Sequence, residues 1–264
     1  MKTILSLALL TLCLNLYSKA QEARLIWSDE FSETGLPNPK KWTYDVGDHG
    51  WGNEELEYYS QNDLKNARIE NGLLIIEAHA DSSYPKGYTS ARLLTKGNAA
   101  WQYGYIEAKA KLPQGRGTWP AIWMLPEVNT HGGWPKSGEI DIMEHVGYDP
   151  GKVHGTVHTE TFNHTDGTQK GDYQLLPDFS TEFHTYAVDW TKEKIDFLID
   201  GNIYFTFENT EKDYRDWPFD KPFHLILNIA VGGGWGGVQG VAPDIWPQRM
   251  EVDYVRVYDK KPHH

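Results

Sequence analysis

The chain has 264 residues, a formal net charge of −12 at neutral pH, and an aromatic share of 13% that includes 11 Trp and 15 Tyr. An acidic chain without a basic cluster is not built to neutralise phosphates, so nucleic acid is excluded as a partner. The single cysteine, Cys13, leaves no internal disulfide framework, and stability must come from a packed core or a bound ion.

At the start, Met1-Lys2-Thr3 precedes an apolar run over 4–16, and Ser18-Lys19-Ala20 follows. A basic start, a short apolar centre and a small-x-small end have the form of a secretory signal peptide cut after Ala20, and the run is too short to span a bilayer. Lipoprotein attachment at Cys13 is the rival, but Leu12 is bulky for that processing. The expectation is a leader over 1–20 and one domain over 21–264, secreted, periplasmic or held at the cell envelope, with no membrane span. Many aromatic residues sit beside Gly, Asn or His rather than in aliphatic runs, which suits stacking on the C–H faces of sugar rings.

Further on, Gly50-Trp51-Gly52-Asn53-Glu54-Glu55-Leu56-Glu57-Tyr58-Tyr59 frees one Trp between glycines and sets an amide beside it. It reads as a sugar-binding pair, or else as a turn followed by a short helix. Helical periodicity is nearly absent elsewhere. Short β-type runs at 73–76, 105–111, 186–190, 195–199, 223–229 and 252–258 recur between Gly, Pro and Asn, and Asp200-Gly201 is a favoured hairpin turn. This pattern predicts an all-β sandwich of two sheets packed face to face, one curved enough to form a cleft.

In Gly117-Thr118-Trp119-Pro120-Ala121-Ile122-Trp123-Met124 the two indoles lie four residues apart and share a strand face, with burial in the core as the alternative for either. Next comes Gly138-Glu139-Ile140-Asp141-Ile142-Met143-Glu144-His145. Alternation puts Glu139 and Asp141 on one face and would turn Glu144 inward, where an unpaired carboxylate is costly. One extra residue at Ile142-Met143, forming a β-bulge, returns Glu144 to the first face. The two glutamates are then roughly 13 Å apart at their α-carbons at about 3.3 Å per residue. Long side chains on a concave sheet can close that gap to the roughly 5 to 5.5 Å of double-displacement glycoside hydrolysis. The competing reading is an acidic, solvated edge strand.

His154 and His158 share a strand face, but zinc needs a third ligand, and the spacing of His164 does not recommend it. A His bonded to a catalytic carboxylate or a sugar hydroxyl fits better, with a core histidine as the alternative for His154. Asn163-His164-Thr165 is a formal glycosylation sequon. After Asn228, the loop Val231-Gly232-Gly233-Gly234-Trp235-Gly236-Gly237 lacks the Lys and Ser/Thr of a phosphate cradle and reads as a rim presenting Trp235.

These stretches, with Trp27-Ser28-Asp29-Glu30-Phe31 near the start and Asp253-Tyr254-Val255-Arg256-Val257-Tyr258 near the end, resemble glycoside hydrolase family 16 and, within it, the bacterial endo-β-1,3-glucanases called laminarinases. The resemblance implies a jelly-roll β-sandwich of two curved antiparallel sheets with a concave substrate cleft. It implies Glu139 as nucleophile, Asp141 as the residue that orients and tunes it, and Glu144 as acid/base. Trp119 and Trp123 would line the subsites beside the cut, Asn53 and Arg92 would bind hydroxyls on the glycone side, His158 would adjoin the carboxylates, and Trp235 would flank the cleft. No organic cofactor is implied. A structural Ca²⁺ would be held by Glu30, the carbonyl of Gly72 and Asp253, and the protein would act as a monomer on a β-glucan polysaccharide.

Relatives that cut lichenan or xyloglucan carry the acids in a regular strand, whereas the extra Met resembles laminarinases and some carrageenases and agarases. Sulfated galactans would call for more Arg and Lys than these Trp-, Gly- and Asn-rich loops contain. The expected activity is therefore retaining endo-hydrolysis of β-1,3-glucan (laminarin), with mixed-linkage glucan as a second substrate. A non-catalytic β-glucan-binding protein would lack one of the glutamates. A transglycosylase would keep the same residues.

Overall fold

The computed structural model of the chain describes residues 22–210 and 213–262, so the expected leader lies outside the described residues. In chain order the strands are β1 (Leu25–Asp29), β2 (Thr43–Asp45), β3 (Glu57–Tyr59), β4 (Ala67–Glu70), β5 (Leu73–Ala80), β6 (Tyr88–Ser90), β7 (Arg92–Leu94), β8 (Gly104–Lys111), β9 (Thr118–Pro126), β10 (Glu139–His145), β11 (Lys152–His158), β12 (Lys170–Leu175), β13 (His184–Trp190), β14 (Lys194–Ile199), β15 (Asn202–Glu208), β16 (Phe223–Val231) and β17 (Gln248–Tyr258). No helix occurs among the described residues, and none is therefore long and apolar enough to cross a membrane. The segment around Trp51 is turns leading into β3 rather than a short helix.

Two sheets result. One runs β15-β14-β13-β8-β17-β5-β6-β3, with β1 also on β17 and β4 on β5; the other runs β12-β11-β10-β9-β16-β7-β2. Pairing is antiparallel except that β3 runs parallel to β6. All six predicted β-type runs fall within strands of these sheets. Between β14 and β15, Asp200 (φ 50°) and Gly201 (φ 77°) both take the positive φ that a two-residue hairpin turn of the right twist demands.

Burial follows the two-residue period. Along β9, Ile122 and Met124 are fully buried while Trp119, Trp123 and Leu125 are only partly covered on the opposite face. The core between the sheets takes Leu74, Ile76, Trp190, Phe197, Phe219, Phe223 and Leu227, all at most 1% exposed. Each such aliphatic or Phe side chain contributes roughly 1.5–3 kcal/mol by leaving water. Strand β16, between β9 and β7 in the second sheet, is buried along its whole length, and its Asn228 and Ala230 form part of the cleft floor.

The expected bulge is present. Against β9, Asp141 pairs with Trp123 and Met143 with Ile122, so Ile142 has no opposite number; against β11, Asp141 pairs with Thr156 and Glu144 with His154. Ile142 and Met143 both enter the core, at 1% and 0% exposure. The two consecutive apolar residues therefore absorb the break in alternation.

Candidate active site

Strand register brings Glu139, Asp141 and Glu144 out on one face of β10, opposite His158, Thr156 and His154 of β11. Gly138, with φ 89°, immediately precedes the strand, and a β-carbon there would meet Pro218 at 2.8 Å and Phe219 at 3.0 Å. Only glycine fits this approach, which fixes where Glu139 leaves the sheet.

Both glutamates are held by indoles. Trp134 Nε1 donates to Glu139 Oε2 at 2.6 Å, and Trp119 Nε1 donates to Glu144 Oε1 at 3.0 Å. His158 Nε2 lies 3.3 Å from Asp141 Oδ2. Burial, then the charge of Asp141, pushes the Glu139 carboxyl up to about 8, against the pull of His158 and of the Trp134 N–H. Burial likewise lifts Glu144 to about 7; His158 opposes this, and the charges of Glu139 and Glu55 add to it. Asp141, 2% exposed, is pushed well above the usual carboxylate range by burial and by Glu144. It is also hydrogen-bonded to Glu139. Three carboxyls so close cannot all ionise, and they titrate as a group.

The acids lie where two lobes of one cleft meet. A 360 Å³ lobe is lined by Trp51, Asn53, Arg92, Trp123 and Asn228, and a 660 Å³ lobe by His154, Thr156, His158 and Trp235; both include Trp119, Glu139 and Glu144. Each sequence-predicted catalytic and substrate residue thus lines the cleft, although some are more constrained than isolated platforms would be. The Arg92 guanidinium lies 4.8 Å from the ring centroid of Trp51 and 4.7 Å from that of Trp123, and its Nε is 3.1 Å from Asp45. Trp123 donates to Asn228 Oδ1 (2.7 Å), Asn228 to the Tyr59 hydroxyl (3.0 Å), and Tyr59 to Glu55 Oε2 (3.1 Å), while Asn53 donates to Glu55 Oε1 (3.0 Å). Trp235 meets Trp119 edge-on at 5.5 Å and His154 at 5.1 Å. Close approach of the Gly-rich loop allows this: a β-carbon on Gly236 would meet Trp119 Cβ at 2.8 Å.

Sequence reasoning missed several cleft residues, of which Trp134 and His164 matter most. For Trp134 the signal was available: Gly132-Gly133 precede it, much as glycines flank Trp51 and Trp235. His164, set aside on its spacing, lines both lobes with its ring 4.8 Å from that of Trp134. The Glu55–Tyr59–Asn228 network carries no local signal, since it joins residues up to 169 positions apart.

Among the described residues one set of three metal-capable groups is close-packed, Glu139, Asp141 and His158, with atoms within 4.8 Å of one another. That set belongs to the carboxyl cluster on β10 and its neighbour on β11. The residues expected to bind calcium lie on the other sheet. Asp253 is the extra residue of a bulge in β17, Asp29 pairs with Val255, and Val252 pairs with Leu74, so Glu30, the turn at Gly72 and Asp253 approach one another along β17. Arg256 pairs with Glu30 (2.8 Å) and Lys109 with Asp253 (2.9 Å). Side-chain and backbone oxygens of this kind suit a hard cation. Exposed ion pairs contribute only about 0–1 kcal/mol each, so giving them up to an ion is a small cost.

Residues 48–256 match the family described as glycosyl hydrolases family 16. The chain belongs to that family. It is 56% identical to the β-glucanase of Rhodothermus marinus over 91% of this chain and 86% of that one. The X-ray structure of the laminarinase from the same organism superposes with a TM-score of 0.88, covering 90% of this chain and 98% of that one. A glucan endo-1,3-β-glucosidase of Cryptopygus antarcticus is 41% identical over 88% of this chain and 90% of its own length. SCLam, a non-specific endo-β-1,3(4)-glucanase of the family, is 48% identical over 91% of this chain and 92% of its own, with a TM-score of 0.85.

Proposed function

We propose that this family 16 chain is a retaining endo-hydrolase of β-1,3-glucan that also accepts mixed-linkage β-1,3-1,4-glucan. The observation that carries the reading is the pair of indole-held glutamates on a bulged strand, placed where two lobes of an open cleft meet. A cleft that continues on both sides of the cut admits the interior of a polymer. Its lining of Trp, Asn and His, with Arg92 already engaged by Asp45, offers stacking and hydrogen bonding to a neutral sugar. The named activities of the Rhodothermus marinus laminarinase and of SCLam support this substrate class.

Glu139 attacks the anomeric carbon as the bond to the departing sugar breaks, and Glu144 gives its proton to the departing oxygen. Because Trp119 occupies Glu144 Oε1, the transferable proton belongs on Oε2. Asp141, hydrogen-bonded to Glu139, keeps it oriented. Once Glu139 is an ester its charge is gone, which lowers the pKa of Glu144. Glu144 then takes a proton from water as the water oxygen attacks the anomeric carbon and releases the Glu139 carboxylate. All these groups come from one chain, so a monomer suffices.

The enzyme would be exported by its leader, with Glu30, the Gly72 carbonyl and Asp253 holding Ca²⁺ on the sheet remote from the cleft. Such an ion would stabilise the folded state by about 2.7 kcal/mol at a hundredfold excess over its Kd. Chelation should then lower Tm by several degrees and calcium should restore it; a Tm indifferent to both would remove the site. For the activity, reducing-sugar release on laminarin, lichenan, agarose and carrageenan is the test. We expect laminarin first, lichenan second, and no release by Glu139→Ser. Full activity of Glu139→Ser, or preference for a galactan, would overturn the reading.

A further inference from the structure

The larger lobe of the cleft continues past the acids along β11, where His154 and Thr156 line it, and β12 adjoins β11. Glu144 pairs with His154 across β10 and β11, and His154 pairs with Tyr173 across β11 and β12. Directly paired residues of antiparallel strands share a face. Glu144, His154 and Tyr173 therefore form one cross-strand row, with Tyr173 about 10 Å from Glu144 at about 4.8 Å per strand. The row is lined with rings: Trp119 to Trp235 at 5.5 Å, Trp235 to His154 at 5.1 Å, and His154 to Tyr173 at 5.8 Å.

Strand β12 is the outer edge of the cleft sheet, and all six of its residues are exposed. Sheet edges are normally blunted with charge, yet on the cleft face this one presents Tyr173, 48% exposed, and Leu175, 62% exposed. The Lys152 ammonium, itself 2.8 Å from Asp149, lies 4.6 Å from the centre of the Tyr173 ring and restrains it while leaving half the side chain open to solvent.

Strand order decides which half of a substrate would meet this row. Arg92 on β7, Asn228 on β16 and Trp123 on β9 line the lobe on one side of β10; β11 and β12 lie on the other. A glucan touching both lobes crosses the strands. Because Arg92 is expected on the glycone side, the part that lies across β11 and β12 is the part that leaves. We propose that Tyr173 is an outer binding position for the departing portion of the glucan, stacking on the C–H face of a neutral sugar, with His154 and Trp235 bridging it to the cut. This rests on the hydrolase reading above.

The test is kcat/KM for Tyr173→Ala and Tyr173→Phe on β-1,3-gluco-oligosaccharides of increasing length, and on an aryl β-laminaribioside whose leaving group is a single phenol. Tyr173→Ala should lose about three- to tenfold on oligosaccharides long enough to reach β12. It should match the wild type on the aryl glycoside, and Tyr173→Phe should match it on both. An equal loss on both substrates, or no loss at any length, would overturn the Tyr173 assignment while leaving the hydrolase reading intact. A wild-type protein inactive on every β-1,3-glucan would overturn both.

Discussion

Trp134 does more than offer a ring to a sugar, because its indole N–H reaches Glu139, the proposed nucleophile, at 2.6 Å. A hydrogen bond to a charged group is worth about 1.5–3 kcal/mol, so Trp134→Phe should lower kcat/KM roughly ten- to hundredfold. The bond favours the Glu139 anion and lowers its pKa. Its loss should therefore move the acid limb of the kcat/KM profile to higher pH. A raised KM with an unmoved limb would reduce Trp134 to a platform. The residue scale is also where sequence reasoning was weakest. The three acids were legible from alternation together with the cost of burying a carboxylate, whereas Trp134 and His164 reach the cleft from loops whose course depends on packing against distant strands.

At the scale of the element, the bulge at Ile142-Met143 was legible because two facts conflict in a regular strand: the parity of Glu144, and the cost of turning a carboxylate into an apolar core. The structure resolves the conflict by burying both residues of the bulge. Gly138, at the head of the same strand, is a stricter test of how the element is held. An alanine there would take φ 89° and press on Pro218, Phe219 and Phe223 at 2.8, 3.0 and 3.1 Å. Gly138→Ala should cost roughly 1–3 kcal/mol and lower Tm by several degrees. Activity should fall with it, since Glu139 is the next residue. A variant with wild-type Tm and wild-type kcat would show that the strand start is not so constrained.

For the molecule as a whole, the two-sheet architecture was readable because strands such as β9, β11 and β13 alternate buried and partly open positions, and turn residues separate the runs. The parallel pair β3–β6 was not readable, since strands of three residues carry too little pattern to set direction. The assembled site has an energetic consequence that extends to the whole fold. Glu139 and Glu144 titrate at about 8 and about 7 when folded, against 4.5 ordinarily. The native state thus retains protons that the unfolded chain has already lost. Their contribution is fully present below about pH 4.5 and is lost as pH rises through 7 and 8. Conversely, His145, buried and held down to about 4, costs stability as pH falls below 6.5. A Glu139→Gln, Glu144→Gln double variant should be more stable than the parent by on the order of 1–3 kcal/mol at pH 8 in urea unfolding. The gap should close near pH 4.5; one that stays constant between those pH values would contradict the shifts.

Double displacement requires that Glu139 form a covalent bond to the sugar before water arrives. Following the first reducing ends released from laminarin by proton NMR, before mutarotation blurs them, tests this most directly. The β anomer should appear first, with the α form growing in later; an α product appearing first would mean single displacement and would contradict the roles given to both glutamates.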